Sequence, residues 1–439
     1  MPPSRRQALA LAGATLLGGC TGLPRSAVRE EMPDPEPFLT EPADWEYPQY
    51  DAANTNAPPG YAAPDSLSQK PEVTATFTAD QIDHCGGPIV ADGIVYLTFT
   101  GFERHDPFGR LAALDARTGE KQWQTSVESS WAYTPVVAAD TVYWLKGAND
   151  VRALSPVDGT SRWKKQQMNH EPPLAAHGLV LTESDNYRKP ALEALDPQTG
   201  EIYWSRNEGG RSWDIVAADD DSFYARLDAH TDEQSSELHA IDPLTGETQW
   251  STARIAPRSV TVGSQHVYAT TGRPDARTVL ALDIETQGIA WSETRDMQHD
   301  ISERGAVNGD RTAAVVADEF VFVHVDWHGA FHDRIEAREK ERGKVVWELE
   351  GNGDGTVSYA PPIVAGDSLY LLSRRETSGQ QATSTLRVLD TTDGTERERI
   401  ELSAPVYGRP VVADGRLFLT MRTSSGRPDR IRLAAFGES

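Results

Sequence analysis

An all-β chain folded as an eight-bladed β-propeller of four-stranded antiparallel sheets is the architecture this sequence predicts, and three observations carry it. The segment Ala113-Leu-Asp-Ala-Arg-Thr-Gly-Glu-Lys-Gln-Trp123 recurs at 153–163, 194–204, 240–250, 281–291 and 337–347, with Trp always eight positions after the acidic site. A β-branched and aromatic run split by an Asp-Gly type turn also recurs, as at 88–97, 135–144, 362–371 and 410–419. Finally, residues 71–80 form an orphan strand ahead of the first complete unit, while the last copy holds two strands and a fragment of a third. An N-terminal strand can therefore close the last blade, which removes the sheet edges that would otherwise pair with other chains.

Each element has a local reason. The Asp-Gly runs are hairpin signals. The Leu-x-Ala-Leu-Asp and Gly-Glu-x-x-Trp pieces add two strands around a turn whose Gly supplies positive φ. Four strands per roughly 40–55 residues is a propeller period. Trp123, Trp163, Trp204, Trp250, Trp291 and Trp347 then join neighbouring blades. Burying ~150–250 Å² of indole at ~25 cal/mol per Å² gives roughly 4–6 kcal/mol of gross transfer energy each. A seventh copy, Val388-Leu-Asp-Thr-Thr-Asp-Gly394, puts Glu398 at the Trp position, and Leu433-Ala-Ala-Phe-Gly437 is a remnant of an eighth.

These motifs resemble the pyrroloquinoline quinone (PQQ) type propeller repeats, whose docking motif Ala-x-Asp-x-x-Thr-Gly-x-x-x-Trp is matched at every defined position by 113–123, 194–204 and 240–250. Trp45 with Tyr50-Asp-Ala-Ala-Asn-Thr55 is similar to a segment that precedes the first blade in many members. The resemblance runs from residue 45 onward and implies the fold more sharply than the function. The family includes quinone-dependent dehydrogenases and non-catalytic scaffolds such as the outer-membrane assembly lipoprotein, and this chain looks like the non-catalytic branch. Tryptophan-aspartate and kelch propellers are disfavoured, because Trp213-Asp214 occurs once and Gly86-Gly87 is not repeated at equivalent positions of the other blades.

Residues 1–20 read as a twin-arginine lipoprotein signal: Arg5 and Arg6 precede a short apolar run, and Leu17-Gly-Gly-Cys20 resembles a lipobox. Cleavage before Cys20 and a lipid on its sulfur would place the protein outside the cytoplasm, anchored to the outer face of the cell membrane. Residues 21–70 form a Pro- and acid-rich tether with a docking segment around 45–55, and 71–439 the propeller. Cys85 is then the one remaining thiol, so no internal disulfide forms.

The chain carries 42 basic and 66 acidic residues, a net charge of −24. That balance excludes nucleic-acid partners, which need a basic footprint. It fits a salt-adapted surface, since the Debye length falls from about 8 Å at physiological ionic strength to about 3 Å at 1 M salt. With the signal, it looks like a lipoprotein of a halophilic archaeon. The expected result is a melting temperature that rises with KCl; a flat curve removes the halophile reading.

Residues leading into the first strand of each blade line one mouth of the channel in this fold. Trp131, Tyr133, Trp213, Arg258, Tyr359, Tyr407 and Arg409 fall there, and aromatics interleaved with Arg suit a peptide, a glycan or a planar cofactor. His324, His328 and His332 are the candidate metal ligands, with a solvated loop as the alternative. Two functions follow. One is a non-catalytic scaffold binding a protein or peptide at the cell surface, with no cofactor. The other is a PQQ-dependent dehydrogenase oxidising an alcohol or sugar with calcium. Against the second, the chain has no adjacent cysteines to clamp a quinone and no recognisable Glu/Asn/Asp metal set.

Overall fold

The computed structural model describes residues 44–58, 63–64, 66–68, 70–129, 132–147, 150–166, 171–184, 190–228, 236–252, 259–273, 276–296, 314–325, 334–351, 357–375, 383–406, 408–423 and 428–437. They form eight antiparallel sheets in a ring, an eight-bladed β-propeller. Blade 4 shows the pattern: Trp213–Ala218 is innermost, followed outward by Phe223–Leu227, Glu237–Ile241 and Thr248–Thr252. In blades 1 and 7 the inner strand is broken in two. Gln81–Cys85 and Ile89–Ala91 both pair with Ile94–Glu103, and Val357–Tyr359 and Ile363–Ala365 both pair with Ser368–Arg375. Pro88 and the pair Pro361-Pro362 fall in the two breaks, where their missing N–H groups interrupt the ladder.

Every defined position of the repeat has a physical role. Its small residue lies directly across the outer strand pair from the Trp: Ala113 opposite Trp123, Ala194 opposite Trp204, Ala240 opposite Trp250, Ala337 opposite Trp347. The register shifts by one residue immediately beyond each of these pairs, a bulge that re-aims the ring out of its own sheet. The acid caps the turn, as Asp115 Oδ1 accepts from the Arg117 and Thr118 amides and the Thr118 hydroxyl. Those bonds hold the Asp115 carboxyl below its ordinary range.

The glycine is explained by the neighbouring blade. Trp123 lies on Gly159, Trp163 on Gly200, Trp204 on Gly246, Trp291 on Gly343 and Trp347 on Gly394, where an added Cβ would stand 2.4–2.9 Å from the ring. Each indole also donates to a carbonyl of the same neighbouring turn: Trp123 to Pro156 at 2.7 Å, Trp163 to Pro197 at 2.8 Å, Trp347 to Thr391 at 2.9 Å. Blade 5 departs from the rule, with Gln287 holding the left-handed position (φ 56°) in place of the glycine. Gln287→Gly should therefore raise stability by about 0.5–1 kcal/mol through relief of the left-handed side chain, read as a higher urea midpoint at unchanged slope.

Blade 8 closes the ring. Val73–Ala79 pairs along its whole length with Asp429–Phe436, from Val73 opposite Ala435 to Ala79 opposite Asp429. The third strand of this blade, a fragment in the sequence pattern, is thus eight residues long. The seam with blade 1 is tight. A Cβ on Gly408, which has φ 76°, would lie 2.5 Å from the Gly87 nitrogen, so the double glycine at 86–87 serves closure.

Candidate functional site: the strapped channel

Residues 44–58 run around the inside of the ring and bond to the inner strand of one blade after another. Trp45 exchanges both backbone bonds with Val90 of blade 1, the Val137 amide of blade 2 donates to Glu46, and the Tyr47 hydroxyl donates to the Ala175 carbonyl of blade 3. The amides of Ala218, Val262, Val316 and Val364, in blades 4 to 7, donate to the carbonyls of Ala52, Ala53, Thr55 and Asn56. The Asn54 side chain adds bonds to the Val216 and Val260 carbonyls. One strap therefore satisfies inner-strand groups of seven blades that an open channel would leave to water.

The strap's sequence suits its tight path. Tyr50, Asn54 and Asn56 have φ of 79°, 62° and 53°, and Asn tolerates this region better than most residues. Asp51 clips the turn by accepting from the Thr55 amide at 2.9 Å and the Thr55 hydroxyl at 2.7 Å. Trp45 is wholly buried, edge-on to Tyr50 with ring centroids 5.4 Å apart.

Burial pushes the Asp51 carboxyl up from 3.8 to about 6, against hydrogen bonds from Thr55 that lower it. A carboxyl raised on folding lends stability below its unfolded value and loses it as pH climbs through the folded value. The difference in urea midpoint between wild type and Asp51→Asn should therefore widen in favour of the amide from about pH 4 to pH 6. A constant difference would show that Asp51 does not titrate there.

Above the strap lies a cavity of about 770 Å³, at the end of the channel where the chain leads into the first strands. Tyr47, Gln49 and Asn54 of the strap form its floor. Tyr359 and Arg409, two of the residues expected at the mouth, line it, and Arg409 Nη1 donates to Asn56 Oδ1 at 3.3 Å. Trp213 is 2 % exposed, with its ring against His239 at 5.1 Å and under the Arg206 guanidinium at 4.9 Å, so it packs between blades while its neighbour Asp214 lines the cavity. Tyr133 is half-buried, and its carbonyl accepts from the Trp144 indole. Trp131, Arg258 and Tyr407 lie outside the described residues, as do Arg5, Arg6 and Cys20.

His324 is half-buried in the strand Phe320–Val325, while His328 and His332 fall outside the described residues. Cys85 is half-buried beside Thr420 and Arg422, and burial raises its thiol far above the ordinary range. Asp219 caps a hairpin turn, accepting from the Asp221 and Ser222 amides and the Tyr224 hydroxyl.

Four charged lining residues escaped the sequence reading: Glu171, Asp214, Arg226 and Arg374. Glu171 was within reach, since it precedes Pro172-Pro173 at the lead-in to an inner strand as Arg409 precedes Pro410. Arg226 and Arg374 sit at the far ends of second strands, which no repeat position marks. Arg226 pairs with Asp214 and with Asp228, the latter at 3.0 Å.

A family profile described as outer membrane protein assembly factor BamB matches residues 70–189 and 188–385, well over half of the chain. The chain belongs to that family. Among solved structures, BamB from Moraxella catarrhalis superposes with a TM-score of 0.52 at 14 % identity, covering 85 % of this chain and 98 % of its own. A quinohemoprotein alcohol dehydrogenase from Comamonas testosteroni gives 0.63 at 11 % identity, covering 90 % and 81 %. A europium-containing methanol dehydrogenase gives 0.61 at 12 %, covering 90 % and 98 %. Identities this low carry the fold alone. Curated protein sequences yield no match.

The enzymes among these neighbours make a quinone and a metal ion the group to test against the cavity. Its described carboxylates are Glu171 and Asp214, and Asp214 is engaged by Arg226. Among the described residues no three His, Cys, Asp or Glu side chains converge to hold a metal ion. This donor set does not fit a resident divalent cation.

Proposed function

We propose that this BamB-family propeller is a non-catalytic scaffold, anchored outside the cytoplasm by a lipid on Cys20, that binds a protein or peptide at its cavity-bearing face. The observation carrying this reading is the strap. It turns the channel into a recess floored by the protein's own backbone and walled by charged and apolar side chains, a shape suited to recognition. The rigid ring and the loops around the mouth support it, because loops on a fixed frame can change without loss of the fold. Among the described residues no helix is long and apolar enough to cross a membrane, so attachment falls to the lipid in this reading.

Purified protein incubated with PQQ and calcium should reduce no redox dye over a panel of alcohols and sugars. Quinone absorbance that stays with the protein and supports turnover would replace the scaffold with a dehydrogenase.

A further inference from the structure

The cavity is electrically two-sided. In a ring of eight, blades 3 and 4 stand opposite blades 7 and 8. Glu171 leads into blade 3, and Asp214 lies on the inner strand of blade 4, where Arg226 is shared between Asp214 and Asp228. Across the channel, Arg374 projects from the second strand of blade 7 and Arg409 leads into blade 8. Both walls also carry apolar side chains, Leu174 and Ile215 on one and Leu372 and Val411 on the other.

We propose that this cavity binds a small zwitterionic ligand of the amino-acid or short-peptide class, its ammonium group toward Glu171 and its carboxylate toward Arg374 and Arg409. The inference rests on reading the mouth as a binding site, and it names the ligand chemistry. A simple anion is repelled by a molecule of net charge −24, and a simple cation meets the arginine wall. A ligand carrying both charges satisfies both walls, and arginine suits a carboxylate because its fork can donate two parallel bonds. The volume of about 770 Å³ lies within the range of small-ligand pockets. The apolar side chains on both walls accommodate the body of such a ligand.

The test is calorimetric titration of the full-length protein with the tripeptide Ala-Ala-Ala, its N-acetylated form and its C-terminal amide. The free tripeptide should saturate one site per chain, and blocking either end should weaken binding on the order of tenfold, as expected when one charge-assisted set of hydrogen bonds is removed. Glu171→Gln should abolish the penalty of acetylation, and Arg374→Gln combined with Arg409→Gln the penalty of amidation. The end-blocked peptides give the answer on unaltered protein, whatever the substitutions do to folding. Absence of saturable tripeptide binding, or equal binding of the blocked forms, overturns the inference and leaves the scaffold reading to the quinone assay. Dye reduction in that assay overturns the scaffold reading whatever the peptides do.

Discussion

Alanine in place of Gly343 should destabilise the protein by about 3 kcal/mol, combining left-handed strain with a steric conflict each of ~1–3 kcal/mol. The new Cβ would stand 2.4, 2.5 and 2.9 Å from three carbons of Trp291, at φ 64°. To relieve that contact the indole must lift off its neighbour and stretch the 2.7 Å bond it donates to the Lys340 carbonyl. Gly415 provides the control. It has φ 67° and nothing within 4 Å of an added Cβ, so its alanine variant should cost only about 1 kcal/mol of backbone strain. A double-mutant cycle completes the test, because in a Trp291→Ala background Gly343→Ala should fall to about the same 1 kcal/mol. Equal costs for Gly343→Ala and Gly415→Ala in urea titrations would mean that this glycine is kept for its turn and not for the ring beside it.

Truncating Trp45 to alanine should cost about 3–5 kcal/mol, the range for deleting a large aromatic from a packed interior. The residue is fully buried, and its backbone pairs with Val90, so the substitution empties the first foothold of the strap. Phenylalanine at the same position should restore most of the loss. The indole N–H has no hydrogen-bond partner among the described residues, so removing it relieves an unsatisfied donor that offsets part of the lost area. A Trp45→Phe variant as unstable as the alanine one would show that the N–H is satisfied after all.

The repeat was legible because its determinants are local. Asp, Thr and Gly at fixed offsets specify a turn through bonds no more than five residues apart, and Ala stands opposite Trp beside a one-residue bulge. Closure by the orphan strand was legible too, because an incomplete last unit and an unassigned first strand leave one economical pairing. The path of the strap was not. Its bonds join residues 44–56 to partners as distant as Val364, and most involve backbone groups, which leave no trace in side-chain pattern. The arrangement of the cavity was half legible. Position along the repeat placed Tyr359 and Arg409 at the mouth, but it could not show that Trp213 turns sideways against His239 and Arg206. Nor does linear spacing reveal that opposite charges face each other from blades four places apart.

The strap also fixes the number of repeats. Arrays built only from nearest-neighbour contacts tolerate the gain or loss of a unit, since each copy answers only to the next. Here the 44–56 segment meets blades 1 to 7 in order and strand Val73–Ala79 completes the eighth, so the chain measures its own circumference. A duplicated or deleted copy would leave every later foothold one step out of phase, so the strap ties the ring to eight units.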